Sequence, residues 1–296
     1  MYPFSKRYLN LIIKIYENMR PDITKITKLP IGIEKGIEKK ILEKNTKYQH
    51  VIIARLYFYG LSLILDNLLQ FTEKDEFIYH ETLVHPPLLL HPNPSKVLII
   101  GGGDGCAARE VLKHKIDLVK IVDIDEEIIN LCKIYFKKIN KNSLINKKVE
   151  IIVEDGKFFV EKEKEKYDCI ILDLTDPFGS EISKELYSKK FYKNLKNLLN
   201  KDGIIVTQAG SAFYFKKIYN SIYKSIQTNF KFIKDYENWI PSFGYSCCFI
   251  VASNKYNLSN LTENEIKKRI KERKLKLKFY TPSIHMSLMK KGITKY

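Results

Sequence analysis

The chain of 296 residues has no long hydrophobic run, no cysteine pair at metal-ligand spacing and too few acids to balance its bases. No stretch reaches the ~18 apolar residues of a membrane span. The first twenty residues mix Lys6, Arg7, Lys14 and Glu17 into their apolar positions, unlike a signal peptide. No membrane partner is therefore expected, and the expected location is cytoplasmic. The five cysteines, Cys106, Cys132, Cys169, Cys247 and Cys248, offer neither a zinc motif nor a disulfide framework, and Cys169 sits within an apolar run. They read as reduced small hydrophobes, with no metal site. With 51 Lys plus Arg against 34 Asp plus Glu, the formal charge is +17, which raises the question of a polyanionic partner. The lysines are scattered (Lys35, Lys39, Lys40, Lys113, Lys147, Lys189, Lys216, Lys267) and no recognition motif accompanies them. They read as a solvated surface, and nucleic acid is not expected as a partner.

What is present suits a globular protein: 45% hydrophobic and 12% aromatic residues exclude a disordered or collagen-like chain. Ser5 to Met19 has helical spacing and ends before Pro21. From Tyr48 to Leu65, β-branched runs separated by Gly60 predict a hairpin or small sheet. Asp75 to His91 has helical spacing, broken at Pro86-Pro87 and closed by His91-Pro92-Asn93-Pro94. A domain boundary is placed there, giving an N-terminal helix and small β domain over 1–91. Beyond it, apolar strands at Val97–Ile100, Leu118–Val122, Val149–Val153, Cys169–Leu172 and Ile204–Val206 alternate with amphipathic helices. This texture predicts an α/β domain with a doubly wound, mainly parallel sheet over 92–260. Strands near Phe232 and over Phe249–Ala252 would add an antiparallel edge, and 261–296 reads as a basic helix followed by irregular chain. No internal repeat is visible.

In such sheets ligands bind beyond the carboxyl ends of the strands. Those ends are strongly acidic here: Gly101-Gly102-Gly103-Asp104-Gly105, Asp123-Ile124-Asp125, Glu154-Asp155-Gly156 and Asp173-Leu174-Thr175-Asp176-Pro177. Like charges gathered together cost stability unless a cation joins them. The glycine loop, with Asp123 about 20 residues on, suits a nucleoside whose ribose hydroxyls meet the acid. Asp155-Gly156 taken alone could equally be a helix cap. Asp104 sits where a helix N-terminus would receive a phosphate or carboxylate, so it points to a nucleoside bearing an amine in place of an acid.

These motifs, taken in order with Tyr48-Gln49, Leu65-Asp66, Gln70, Asp75-Glu76 and Tyr79-His80-Glu81, resemble the spermidine synthases, the polyamine aminopropyltransferases, over roughly residues 46 to 253. The resemblance implies a small N-terminal β domain and a Rossmann-like, methyltransferase-type sheet. It implies transfer of an aminopropyl group from decarboxylated S-adenosylmethionine, a co-substrate and not a prosthetic group, to an amine, releasing methylthioadenosine. It implies a homodimer or homotetramer. It assigns Gln49, Asp123, Asp155 and Gly156 to the donor nucleoside, together with Gly101 and Gly103 of the glycine loop and Ser180 near the adenine. Tyr79, His80, Asp104, Asp176, Gln208 and Phe243 fall on the aminopropyl and acceptor side, and Asp173 is the acid-base residue.

The chain departs from the spermidine synthase pattern in places. Leu174 replaces a serine, Phe243 a tyrosine, Asp123 a glutamate and Ser180 a proline. With Val206-Thr207-Gln208-Ala209-Gly210 and Leu277-Lys278-Phe279-Tyr280, these details resemble thermospermine synthases and triamine or agmatine aminopropyltransferases. Putrescine, agmatine, cadaverine and spermidine are the candidate acceptors. A methyltransferase using intact S-adenosylmethionine on the same fold is the rival enzyme, and a basic nucleic-acid binder is the rival from another class.

Overall fold

The computed structural model describes residues 36–175 and 185–293. The expected helix over Ser5–Met19 and the site candidates Asp176 and Ser180 lie outside them. The chain divides into two compact units, one of the residues up to Lys74 with Ser242–Gly244, the other Asp75–Pro241 and the chain from Tyr245 on. The boundary expected near Pro92 thus falls between Lys74 and Asp75, and neither the Asp75–His91 segment nor the basic C-terminal segment stands apart from the larger unit.

The smaller unit is an antiparallel meander of β1 (Ile37–Asn45), β2 (His50–Leu56), β3 (Gly60–Leu65) and β4 (Leu68–Thr72). Asp66 and Asn67, at φ 49° and 64°, make the two-residue β3–β4 turn, which calls for left-handed residues because only that turn matches the strand twist. Ile52, Ala54 and Leu56 alternate along β2 on one face and pack with Ile64 and Leu69, while Val51 and Ile53 on the other face are buried as well. β1, which the sequence reading missed, carries polar residues over 38–40 and 43–45 and is exposed along nearly all of its length.

The larger unit begins with α1 (Glu76–Leu90), followed by β5 (Lys96–Gly101), α2 (Cys106–Leu112), β6 (Leu118–Asp123), α3 (Glu126–Tyr135), β7 (Val149–Val153), α4 (Gly156–Lys162) and β8 (Tyr167–Asp173). α5 (Lys189–Leu198), β9 (Leu199–Gln208), α6 (Lys216–Gln227), β10 (Phe232–Ile240), β11 (Tyr245–Ser253), α7 (Glu263–Glu272) and α8 (Pro282–Lys291) complete it. The sheet order is β10-β11-β9-β8-β5-β6-β7, parallel from β9 through β7, with β11 antiparallel to both of its neighbours. The expected Rossmann-like α/β fold with a small β domain is borne out. Val97–Ile100, Cys169–Leu172 and Ile204–Val206 are all buried, which is why these strands read as continuous apolar runs and not as alternating ones. All five cysteines are free and buried. No helix among the described residues is long and apolar enough to cross a membrane.

Two expectations need correction. α1 runs straight through Pro86-Pro87. Pro86 has no N–H for the Thr82 carbonyl four residues earlier, and that carbonyl instead accepts the Tyr236 hydroxyl from β10 at 3.0 Å. A tertiary donor replaces the missing helical one. The segment after the basic helix is also not irregular: Thr281 caps α8 by accepting from the Ile284 N–H, with Pro282 in the first turn.

The basic α7 has a specific task. Arg269 reaches the carbonyls of Leu89 and Leu90, and Arg273 those of Leu88 (2.6 Å), His91 (2.8 Å) and Pro92 (2.7 Å). These are the orphan acceptors at the C-terminal end of α1, where the helix dipole also favours cations. Near the middle of α1, buried Glu81 accepts the backbone N–H groups of Lys278, Phe279 and Tyr280, each at 2.8 Å. The C-terminal segment therefore grips α1 at two points. Arg273→Ala should lower unfolding stability by about 2–3 kcal/mol, because it strands carbonyls that accept charged hydrogen bonds, and urea denaturation would measure it. Arg273→Lys should fall between Arg273→Ala and the parent, since an ammonium cannot fork.

Candidate active site

The strand order reverses between β5 and β8. β6 and β7 follow β5 to one side, and β9 lies beyond β8 on the other, so the carboxyl ends of β5 and β8 flank the crevice where open α/β sheets bind ligands. Gly101 pairs with Asp173 across this junction, and the Gly102 N–H donates to the Asp173 carbonyl at 3.0 Å. At φ +81°, a Cβ on Gly101 would meet that carbonyl oxygen at 2.2 Å, so only glycine fits. This contact brings the β5 loop against the end of β8.

From there four side chains converge. Tyr79 on α1 donates its hydroxyl to Asp173 Oδ1 at 2.9 Å. Asp173 Oδ2 is buried with no hydrogen-bond partner among the described residues. His80, next along α1, is buried, and its Nε2 faces Asp104 Oδ2 at 3.9 Å. Ligand atoms of His80, Asp104 and Asp173 all lie within 4.8 Å of one another. Burial, and then the neighbouring Asp104 carboxylate, push Asp173 up to about 6, while His80 and the Tyr79 hydroxyl pull it down. Burial alone would depress His80, but the hydrogen bond to Glu76 and the carboxylates of Asp104, Glu76 and Asp173 raise it to about 9. At neutral pH the cluster holds an imidazolium among carboxylates, one of them with an open oxygen. Such a constellation can accept a proton and hold a cation.

The neighbouring strand ends carry Asp123 and Asp155. Asp123 accepts the Gly103 N–H through Oδ2 and the Asp125 N–H through Oδ1, both at 3.0 Å. Burial raises it to about 6, partly offset by these two backbone donors. Each oxygen retains a lone pair for a hydroxyl donor. Asp155 caps α4 by accepting the Lys157 N–H at 2.8 Å, so the cap reading holds for this residue. A Cβ on Gly156 would meet Ile100 at 2.6 Å, so this glycine lets α4 close on β5.

Asp104 occupies the helix N-terminus itself: its Oδ1 accepts the Cys106 N–H at 2.6 Å. An amide that elsewhere could receive a ligand's phosphate or carboxylate is filled by this side chain.

Gln208, expected to reach a bound amine, has its side chain engaged by protein groups. Its Nε2 donates to the Leu174 carbonyl (2.8 Å) and the Tyr187 hydroxyl (3.2 Å), and its Oε1 accepts the Gly210 N–H (2.8 Å). It braces the loop after β8. Gln49, in the turn between β1 and β2, and Phe243 belong to the smaller unit. Two residues that the sequence reading did not select lie directly behind His80. Glu76 accepts from His80 Nδ1 (2.9 Å) and takes both arms of Arg109 (2.7 and 2.8 Å). The signal was present only as i and i+4 on α1, and Arg109 is 33 residues away.

Residues 76–263 match the spermine/spermidine synthase domain, and residues 23–73 the spermidine synthase tetramerisation domain. A polyamine aminopropyltransferase of Pyrobaculum calidifontis is 42% identical over 250 residues, 83% of this chain and 86% of its own. That of Pyrobaculum aerophilum is 42% identical over 258 residues, 86% of this chain and 89% of its own. A spermidine synthase solved in complex with the transition-state analogue AdoDATO superposes with a TM-score of 0.80 at 29% identity, over 86% of each chain.

The Tyr79 hydroxyl stabilises the ionised form of Asp173, so Tyr79→Phe should raise the Asp173 titration further, by about 0.5–1 unit for the loss of one hydrogen bond. Carboxyl carbon-13 NMR of the free protein would follow it, and an unchanged or lower midpoint would contradict the geometry.

Proposed function

The chain belongs to the spermine/spermidine synthase family of polyamine aminopropyltransferases, and from that premise we propose that it moves the aminopropyl group of decarboxylated S-adenosylmethionine to an amine, with Asp173 taking the proton. The observation that carries this reading is the Tyr79–Asp173–Asp104–His80 cluster at the β5/β8 junction, an acidic site in a basic protein. Its local charge suits a cationic substrate. Asp104 occupying the first N–H of the following helix suits a donor without a carboxylate, and the AdoDATO complex of the structural neighbour supports the same co-substrate. Family membership also weighs against the methyltransferase alternative.

The chemistry follows from the charges. The sulfonium makes the adjacent methylene electrophilic. The amine lone pair forms the new C–N bond as the C–S bond breaks, and the sulfur leaves as the neutral thioether of methylthioadenosine. The attacking amine must be neutral. With an ammonium pKa near 10.4, reaching the free base at pH 7.4 costs about 3 units, or roughly 4 kcal/mol. A carboxylate placed to accept the proton offsets that cost, and alignment for in-line attack contributes the rest. Asp173 Oδ2, buried and without a hydrogen-bond partner among the described residues, is the acceptor, and Tyr79 holds the other oxygen in place. Asp104 holds a second cationic group. Asp123, Asp155 and Gly156 hold the nucleoside, and Gln208 positions the Leu174 loop at the acceptor end. Phe243, Asp176, Ser180 and Gln49 keep the roles that the resemblance implies.

The acceptor is proposed to be other than, or additional to, putrescine, on the strength of Leu174 and Phe243, where a hydroxyl is missing from each. The exposed β1 edge and the tetramerisation-domain match support a homo-oligomer, with a tetramer as the proposed state.

Asp173→Asn should lower turnover by about 10²–10⁴-fold while decarboxylated-donor affinity by calorimetry changes little; wild-type turnover would overturn the assignment. With Asp173 at about 6 in the free protein, kcat/KM should lose activity as pH falls through that value, because protonation removes the base. Offering putrescine, agmatine, cadaverine and spermidine together, with mass-spectrometric readout, should show products beyond the putrescine adduct; exclusive use of putrescine would reject the acceptor proposal.

A further inference from the structure

We infer that Glu76 and Arg109 are positioning residues of the transfer reaction: their ion pair fixes His80 as a cation whose Nε2–H faces Asp104 and Asp173. This rests on the proposed function for its catalytic meaning, but its geometry stands independently. His80 Nδ1 has two acceptors, the Glu76 carbonyl at 2.8 Å and Glu76 Oε2 at 2.9 Å, and so must carry a hydrogen. Nε2 then looks out on carboxylates, Asp104 Oδ2 at 3.9 Å and Asp173 beyond it. Two further neighbours among the described residues add no positive charge at Nε2. Tyr79 packs edge-on at 5.0 Å, and burial holds the Cys106 thiol well above its ordinary value and so neutral. A second proton on the ring is the arrangement that satisfies both sides.

Glu76 is itself held. Burial would raise its carboxyl, yet the hydrogen bonds from His80 and Arg109 keep it below the ordinary range. Arg109 engages both Glu76 oxygens and is anchored in turn by Glu110 (2.8 Å) and the Ile139 carbonyl (2.7 Å). The pair is nearly buried, with side-chain exposures of 10% for Arg109 and 3% for Glu76. Removing either partner alone would leave an uncompensated buried charge.

A fixed imidazolium in this place has two effects on the transfer. It keeps Asp173 ionised next to Asp104, and so available as a base at neutral pH. It also disfavours an ammonium at the attacking nitrogen, so the acceptor amine is held there as the free base while its other amines stay charged. The proton still passes from the amine to Asp173, and His80 neither gains nor loses one.

The neutral pair Glu76→Gln/Arg109→Gln tests this while keeping net charge and approximate volume. In the substrate-free protein, the His80 titration followed by imidazole NMR should fall by about 1–3 units, the usual effect of losing an adjacent opposite charge. The acid limb of kcat/KM should move to higher pH, and kcat should fall at least 10-fold with donor KM changed less than threefold. Far-UV circular dichroism checks folding. Arg109→Lys, which keeps the charge but loses the fork, carries the same measurements if the neutral pair does not fold; a lower His80 midpoint and a kcat reduced at least threefold are expected. Unchanged His80 titration and acid limb in the folded variant would overturn the inference. Absence of aminopropyl transfer by the parent protein would instead overturn the functional reading and leave the NMR result standing.

Discussion

The structure depends on one electrostatic constraint: Asp104 and Asp173 must be held close together at the sheet junction while remaining charged. Unassisted, two carboxylates in one partly buried site share a proton. The imidazolium of His80 lies between them and Glu76, the negative partner of an ion pair, and the Tyr79 hydroxyl supports Asp173 from the other direction. Both of those groups ride on α1, so the position of that helix sets the charge state of the site. The glycines of the β5 loop serve the same end by letting the Asp173 backbone approach without a Cβ between them.

That explains why so much of the chain is committed to α1. A helix with two prolines near its end and a mostly buried surface has orphan carbonyls that water cannot reach. Tyr236 supplies one donor from β10, and Arg269 and Arg273 supply several more from α7. Glu81 ties the 278–280 backbone to the same helix. The C-terminal segment thus supports the helix that carries Tyr79 and His80. It also accounts for part of the basic character: Arg269 and Arg273 satisfy carbonyls and do not form a surface for polyanions.

The parallel sheet and the acids at its strand ends were legible because both are local patterns, apolar runs of strand length followed by glycine and aspartate. Pro86-Pro87 misled because a proline breaks a helix only where nothing else satisfies the freed carbonyl, and the Tyr236 donor lies about 150 residues away in sequence. α8 was missed although Thr281-Pro282 is a helix start, since few apolar residues follow at regular spacing. Gln208 was placed by resemblance at the acceptor, while its three hydrogen bonds brace the chain around Leu174 and Gly210. Glu76 was quoted only as part of a motif, and its pairing with Arg109 could not be read: a buried ion pair between separate helices leaves no period in the sequence.

The charges also fix the pH range in which fold and site agree. A carboxyl raised from an ordinary 3.8 to about 6, as for Asp173 and Asp123, binds its proton more tightly folded than unfolded. Its ionisation therefore costs stability, a penalty absent below the unfolded value and fully present above about 6. His80 acts in the opposite sense. Raised from an ordinary 6.5 to about 9, it contributes stability that is fully present below 6.5 and is lost as pH rises through 9. Between about 6 and 9 the acids are ionised and the imidazolium persists, so the strain of gathering carboxylates is offset by the cation set among them. Below that range the base is protonated. Above it the cation that keeps Asp173 ionised is gone, and the two carboxylates face each other without it.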